Sequence, residues 1–299
     1  MEDGLGDDAL ERETPGATAS DRMNHVLGLL ETRDAVTVTE LAHRFAVSEV
    51  TIRNDLGQLA GQGLVARIRG GARALQRGQS EVAFDVRLRV QDAEKRAIAR
   101  AAAAMVGDGE AIALDSSTTA YYIALELREK QELVVVTNGL RVASALADAA
   151  GVSVIVPGGM LRLAAMSLVG DFASAVLRTT SIGKGFFGAR GVNLDRGLMD
   201  LNPEEVRIKR EMAEVCERVI GVFDHTKWRK KALLSFVPTQ RIGAIVTDAG
   251  APADLIQEWR DHQIEVVTAE LNGTPVTSRR SSLRALPASD LEEVADTSA

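Results

Sequence analysis

The run Asp115-Ser116-Ser117-Thr118-Thr119 is the part of the sequence best suited to bind a small anion. It follows an apolar segment typical of a buried strand and opens a stretch with helical periodicity. Hydroxyl groups and unpaired backbone N–H groups would therefore converge at a helix N-terminus, whose dipole favours phosphate. Taken alone, the run is equally compatible with a plain capped turn between a strand and a helix.

Two further polar or glycine-rich loops support the anion-binding interpretation. Thr137-Asn138 and Gly158-Gly159 each closely follow another apolar segment. Open α/β sheets bind their ligands at the carboxyl ends of the strands. The three loops are therefore predicted to face one crevice.

Charged residues further along the chain could complete such a site. Glu205 and Lys209 lie four residues apart on a predicted helix, a spacing that most often means a surface ion pair. Asp224 and Lys227 follow another apolar segment, where the lysine could meet an anion. A sugar-phosphate isomerase would need a carboxylate base over its substrate, and Asp115, Glu205 and Asp224 are available. An enzyme is therefore kept as an alternative to a sensor.

Metal and disulfide chemistry are not expected from this sequence. Cys216 is the only cysteine, and the four histidines show no metal-ligand spacing. We therefore expect no metal and no cofactor.

The elements that must position these residues alternate along most of the chain. Segments typical of buried strands lie at Ala111–Leu114, Leu133–Val136, Val152–Val156, Gly185–Gly188, Val219–Phe223, Ile242–Val246 and Ile264–Val267. Helical stretches lie at Ala93–Met105, Thr118–Leu127, Leu140–Ala149, Pro203–Glu217 and Ala253–His262. This alternation predicts an α/β domain with a mainly parallel sheet.

The N-terminal quarter has a different pattern, with three short helices followed by two strands. Ser20, Thr39 and Ser48 are the predicted helix caps. Residues 64–69 and 72–75 read as strands around a Gly70-Gly71 turn. The pattern predicts a small winged helix-turn-helix domain.

The third predicted helix has the two faces that a DNA-reading helix needs. Ile52, Leu56 and Leu59 form its inward stripe, and Asp55 beside them is expected to make a structural pair. Arg53 is predicted to contact bases. Asn54 is also predicted to contact bases, and the hydroxyl groups of Ser48 and Thr51 are predicted to contact phosphates. Arg67 and Arg69 would contact the DNA from the wing. The full set of predicted DNA contacts is Ser48, Val50, Thr51, Arg53, Asn54, Arg67 and Arg69. Each of these residues alone is equally compatible with an ordinary solvated side chain.

The charge distribution agrees with a local DNA-binding edge. The net charge is −7, which would argue against nucleic acid if it were evenly spread. Residues 1–19 carry −5, residues 20–80 carry +2 and residues 81–299 carry −4. The basic segment is therefore the one with the winged-helix pattern, which favours docking at one site over indiscriminate polyanion binding.

These motifs resemble those of a known family. Arg22, Val26, Leu30 and the run Ser48–Leu56 are similar to the helix-turn-helix signature of DeoR-family regulators. Arg69-Gly70-Gly71-Ala72 resembles the wing of that family, with arginine where histidine is common.

The larger domain, from about Phe84 to Ala269, resembles the DeoR effector domain. Ser117 stands where the family usually has glycine. The resemblance rests on Arg87, Lys95, Asp115 to Thr119, Thr137-Asn138, Gly158-Gly159, Gly188-Ala189, Gly197-Leu198, Glu205, Lys209, Asp224 and Lys227. It implies a fold similar to ribose-5-phosphate isomerase and a phosphosugar-sized anion as ligand. The effector-binding residues it implies are Asp115, Ser116, Ser117, Thr118, Thr119, Thr137, Asn138, Gly158, Gly159, Glu205, Lys209, Asp224 and Lys227.

The sequence therefore predicts a winged helix-turn-helix domain over residues 20–76, a linker over 77–91 and an α/β effector-sensing domain over 92–270. Residues 1–19 and 271–299 are expected to be disordered tails. With an acidic N-terminus and no long apolar run, the protein is expected in the cytoplasm. The predicted function is a dimeric or higher-order repressor of a carbohydrate-related operon, with operator DNA and a phosphorylated sugar as partners. The alternatives are a sugar-phosphate enzyme with a DNA-binding appendage and a DNA binder without a small ligand.

Overall fold

A computed structural model describes residues 18–32, 35–61, 65–73, 84–271 and 275–276. The tails predicted for residues 1–19 and 271–299 lie almost wholly outside these ranges. Among the described residues, no helix is long and apolar enough to cross a membrane.

The N-terminal part is a three-helix unit with a three-stranded antiparallel sheet in the order β1-β3-β2. Its elements are α1 (Ala19–Thr32), β1 (Ala35–Thr37), α2 (Val38–Phe45), α3 (Glu49–Gly61), β2 (Ala66–Ile68) and β3 (Gly71–Arg73). Leu41, Ile52 and Leu56 are fully buried in its core. The predicted inward stripe of α3 is therefore confirmed.

The structure of this unit differs from three local predictions. Helix α2 is capped by Thr37, whose Oγ accepts from the N–H of Glu40 at 3.1 Å, and not by Thr39. Helix α1 already begins at Ala19, so Ser20 lies inside it. The wing turns at Arg69-Gly70, and Gly71 opens β3.

The C-terminal part is built on an eight-stranded sheet with the order β16-β15-β14-β12-β9-β4-β5-β6. The first half of its elements is α4 (Phe84–Arg89), α5 (Asp92–Ala103), β4 (Ala111–Leu114), α6 (Thr118–Glu126), β5 (Leu133–Thr137), α7 (Leu140–Leu146), β6 (Val152–Ile155), β7 (Met160–Arg162), β8 (Ser167–Val169) and α8 (Phe172–Leu177). The second half is β9 (Ile182–Phe187), β10 (Gly191–Asn193), β11 (Gly197–Asp200), α9 (Pro203–Glu214), β12 (Cys216–Val222), β13 (Leu234–Val237), β14 (Ile242–Asp248), α10 (Ala253–Asp261), β15 (Glu265–Ala269) and β16 (Pro275–Val276). The strands pair in parallel except β16, which is antiparallel to β15.

The sheet is covered on both faces, which explains its continuous apolar strands. Ile112 and Leu114 of β4 belong to the apolar cluster that includes Ile98 of α5, and Ala113 between them belongs to the opposite cluster. That opposite cluster contains Met212 of α9 and residues of α10. The predicted parallel α/β architecture is therefore confirmed.

Two smaller antiparallel units were not predicted. One is the β7–β8 hairpin, in which Arg162 pairs with Ser167. The other is the sheet β10-β11-β13, in which Asp200 at the end of β11 forms an ion pair with Lys209 of α9. Both units contribute side chains to the site described below.

Candidate functional site

A cleft opens at the carboxyl ends of the central strands β4, β9 and β12. Its walls include the turn after β4, Gly188 after β9 and Asp224 after β12. Gly188 faces Ser117 so closely that a Cβ there would lie 2.5 Å from the serine Cβ. Of the predicted effector residues, those that line the cleft are Ser116, Ser117, Thr118, Thr119, Glu205, Lys209, Asp224 and Lys227.

A buried lysine between two carboxylates forms the floor. The Nζ of Lys209 lies 3.0 Å from Oδ2 of Asp115 and 2.8 Å from Oδ2 of Asp200. It also donates to the carbonyl of Gly188 at 3.1 Å. Burial by itself would lower the pKa of Lys209, but Asp115, Asp200 and Glu205 outweigh it and the pKa is raised. Burial would raise the pKa of Asp200, which Lys209 and Arg190 instead lower to about 2.

Asp115 also fixes the backbone around the floor. Its Oδ1 accepts from the N–H of Ser117 at 3.0 Å, and its Oδ2 accepts from the N–H of Gly188 at 2.9 Å. It is fully buried and does not itself line the cleft. Its role in the structure is to join the turn after β4 to the turn after β9.

Glu205 is surrounded by donors. Its carboxylate accepts from Arg162 at 2.7 Å, from Ser116 at 3.2 Å and from Ser167 in a short hydrogen bond. Asn202 caps α9 by accepting from the N–H of Glu205 at 3.1 Å, so the helix start fixes this side chain. Glu205 is therefore part of a buried network and not the surface ion pair that its spacing also allowed.

Asp224 and Lys227 also line the cleft, at the short 3-10 turn after β12 that Asp224 caps. The Nζ of Lys227 is 3.9 Å from Oδ2 of Asp224, and the N–H of Thr226 donates to Oδ1 at 3.0 Å. Burial would raise the pKa of Asp224, but Lys227, Thr226 and Lys95 together lower it. Asp224 is therefore an ionised acceptor in the cleft wall.

The N-terminus of α6 points at the cleft. Ser117 caps the helix by accepting from the N–H of Ala120 at 3.1 Å. The N–H groups of Thr118 and Thr119 occupy the first helical positions, which have no partner within a helix. Both threonines line the cleft and are buried. The turn is therefore both a capped turn between a strand and a helix and a helix N-terminus that faces the cleft.

The other two predicted loops do not line the cleft. Thr137 accepts from the N–H of Gly139 at 3.1 Å, and Asn138 donates to the carbonyl of Leu168 at 3.3 Å. Gly158-Gly159 leads into the β7–β8 hairpin, and a Cβ on Gly159 would lie 2.4 Å from the carbonyl oxygen of Val169. The expectation that all three loops face one crevice is therefore corrected, because these two hold the hairpin that carries Arg162 and Ser167.

Several cleft residues were absent from the predicted site. Arg87, Lys95 and Arg190 line it as cations, and Asp200 lines it as a carboxylate. Arg87 and Lys95 were part of the family pattern, which was the available signal. Among the described residues, no group of three or more His, Cys, Asp or Glu side chains could hold a metal ion.

Helix α3 presents the predicted DNA-reading face to solvent. Ser48 caps it by accepting from the N–H of Thr51 at 3.1 Å, and Val50 is 62% exposed. Arg53 and Asn54 are exposed, and Arg53 donates to Glu49 at 2.6 Å. Arg67 and Arg69 on the wing are exposed as well.

The opposite face of α3 is locked by a buried ion pair. Arg22 donates to Asp55 through Nε at 2.9 Å and through a terminal nitrogen at 3.3 Å. The structural pairing expected for Asp55 is therefore confirmed. The pair fixes how α3 sits on α1.

Comparison with known proteins identifies this combination of domains. The profile of the DeoR C terminal sensor domain matches residues 90–249, which is more than half of the chain, and that of the DeoR-like helix-turn-helix domain matches residues 22–77. The chain belongs to the DeoR family. It is a DNA-binding transcription regulator, and its curated DeoR-family relatives are regulators and not enzymes.

The alignments with individual relatives cover nearly the whole length of those relatives. A candidate aga operon transcriptional repressor of Escherichia coli O157:H7 is 36% identical over 83% of this chain and 93% of its own. The glycerol-3-phosphate regulon repressor of Escherichia coli K12 is 32% identical over 82% of this chain and 97% of its own. The ribose 5-phosphate isomerase of Plasmodium falciparum is 10% identical, with a TM-score of 0.36 over 63% of this chain and 98% of its own. A likeness that weak supports no conclusion about function.

Proposed function

We propose that this DeoR-family regulator represses a carbohydrate-related operon and that a phosphorylated sugar, bound in the cleft, lowers its affinity for the operator. The observation that carries the proposal is that one cleft holds both hydrogen-bond donors for an anion and a carboxylate that can accept from hydroxyl groups. The N-terminus of α6, Lys95 and Lys227 favour a phosphate, and the carboxylate of Asp224 can accept from sugar hydroxyls. Two relatives named after the aga operon and the glycerol-3-phosphate regulon support the same ligand class. Operator affinity measured with and without sugar phosphates tests it.

The carboxylates of the cleft are poorly suited to act as a catalytic base. A general base needs a free lone pair toward the substrate and a pKa near the working pH. Asp115 does not line the cleft, Glu205 already accepts hydrogen bonds from three side chains, and the pKa of Asp224 is lowered. This geometry favours a site that holds a ligand without turning it over.

We propose that α3 enters the major groove and that the wing touches the adjacent backbone. Arg53 and Asn54 would reach base edges, with Val50 in apolar contact beside them. The hydroxyls of Ser48 and Thr51 would contact phosphates at the helix N-terminus, with Arg67 and Arg69 supplying the wing contacts. A regulator with these partners works where the DNA lies, so we place it in the cytoplasm.

Salt dependence separates the two kinds of DNA contact. Arg67→Ala or Arg69→Ala should weaken binding to all sequences and reduce the slope of log affinity against log salt by about one per lost contact. Arg53→Ala or Asn54→Ala should instead lose about 1–3 kcal/mol of discrimination at one base position. A gel-shift series at several salt concentrations measures both. If all four variants bind like the wild type throughout, the assignment of α3 and the wing is wrong.

We also propose that the protein works as a dimer or a higher homo-oligomer. One recognition helix covers only a half-site, and two-fold operators are met by two-fold proteins. The sensor domain has exposed apolar side chains from β7 to α8, including Met160, Leu163 and Phe172 at 62%, 76% and 78% exposure. Light scattering of the full chain at micromolar concentration should give at least twice the monomer mass of 32.0 kDa. A monomer on operator DNA would contradict the proposal.

A further inference from the structure

The short helix α4 is anchored in the sensor domain. The ring of Phe84 is buried and packs edge-on against Tyr121, with the ring centroids 5.9 Å apart. The N–H of Phe84 donates to the carbonyl of Ala164 at 2.8 Å, next to Ala165 in the cleft wall. Leu88 packs against the apolar cluster of α5 and α6. The helix is therefore attached to the segment that forms part of the cleft wall.

The same helix contacts the DNA-binding unit. Val86 of α4 packs against the apolar core of the winged-helix unit, the cluster that contains Ile52 and Leu56 of α3. Those two residues form the buried stripe of the recognition helix. A displacement of α4 would therefore act directly on the core beneath α3.

A cleft residue holds the C-terminal end of α4. The Nζ of Lys95 donates to the carbonyl of Arg87 at 2.5 Å and, in a short hydrogen bond, to the carbonyl of Val90. The last carbonyls of a helix have no partner within it, and a cation there is favourable. Arg87, Val90 and Lys95 all line the cleft. The cap of α4 and the effector site thus share one ammonium group.

We propose that an anion in the cleft competes with these carbonyls for Lys95 and thereby releases α4 from its capped position, which transmits binding to the winged-helix unit through Val86. A phosphate oxygen is a stronger acceptor for an ammonium group than a peptide carbonyl. Coupling of this kind requires an element whose state both sites bias, and α4 contacts both. The inference rests on the proposed function, since it explains how a cleft ligand changes operator affinity.

The first test removes the cap without any ligand. Lys95→Met keeps the aliphatic stem and loses the ammonium group, so the variant should bind an operator duplex, selected from random DNA by the wild type, about tenfold more weakly. The matched control is Lys184→Met. Lys184 donates to the carbonyl of Met105 at 2.7 Å beyond the end of α5, is partly buried and touches neither α4 nor the cleft. Wild-type affinity of Lys95→Met, or equal losses in both variants, would overturn the inference.

The second test does not depend on Lys95→Met folding. In the wild type, inorganic phosphate should bind free protein more tightly than the operator complex, and the ratio of the two dissociation constants measures the coupling. Val86→Ala should bring that ratio toward one, whereas Met23→Ala, which trims the same core from α1, should leave it unchanged. A wild-type ratio of one overturns the inference, whereas the proposed function fails only if sugar phosphates also leave operator affinity unchanged. A wild-type ratio well above one that persists in Val86→Ala contradicts only the route through α4.

Discussion

Lys209→Met should destabilise the sensor domain by about 3–5 kcal/mol, because the variant leaves two buried carboxylates without their cation. Lys209 is 4% exposed and lies within 3.0 Å of Asp115 and Asp200. Urea unfolding at pH 7 measures the loss. Lys184→Met is the control, since the Lys184–Glu110 pair is partly exposed and should contribute no more than about 1 kcal/mol.

The pH dependence of the free energy of unfolding is a second test of the same prediction. The pKa of Asp200 is lowered to about 2, below the ordinary value of 3.8. The stabilisation that ionised Asp200 gives to the folded protein is therefore fully present above about pH 4 and is lost as the pH falls toward 2. The difference in free energy of unfolding between wild type and Lys209→Met should therefore narrow as the pH falls from about 4 toward 2. Equal stability of the two proteins at pH 7 would show that the buried cluster is assigned wrongly.

Thr118→Val should abolish most of the response to effector while leaving operator binding intact. The substitution keeps the shape of a buried side chain and removes a hydroxyl at the N-terminus of α6. A lost hydrogen bond to a charged phosphate is worth roughly 1.5–3 kcal/mol, so effector affinity should fall about tenfold or more. Lys227→Ala should have an effect of similar size. Calorimetry measures effector binding, and fluorescence anisotropy measures operator binding.

The control for this experiment is Thr179→Val, an exposed threonine outside the cleft whose hydroxyl donates to the carbonyl of Val176. It should respond to effector as the wild type does. Loss of operator binding in a folded Thr118→Val protein, or a wild-type response in it, would refute the assignment of the cleft.

The sheet could be predicted because burial on both faces leaves a plain trace in the sequence. Seven continuous apolar segments correspond to the seven parallel strands, and only their ends differ by a few residues. The antiparallel pieces could not be predicted in the same way, since β7, β8 and β10 have three residues each and show no clear alternation. Their pairing depends on tertiary contacts.

The site was predictable where its residues follow a strand of the central parallel sheet. The turn after β4 and the Asp224–Lys227 turn both satisfy that condition and both line the cleft. Asp200 and Arg162 lie on strands outside that sheet and reach Lys209 and Glu205 only through packing. Gly158-Gly159 also follows a strand, but the chain then turns into a hairpin at the edge of the sheet.

Fluorescence anisotropy of the full-length wild-type chain on a labelled operator duplex tests the central claim most directly. The titrants are sugar phosphates of three to six carbons, including glycerol 3-phosphate and ribose 5-phosphate, each paired with its unphosphorylated parent. We expect at least one phosphorylated compound to lower operator affinity about tenfold or more, within the usual range of coupling energies, while its parent has no effect. If the parents act as strongly as the phosphates, or if no phosphorylated sugar changes operator affinity, a phosphosugar-sensing repressor is the wrong description of this protein.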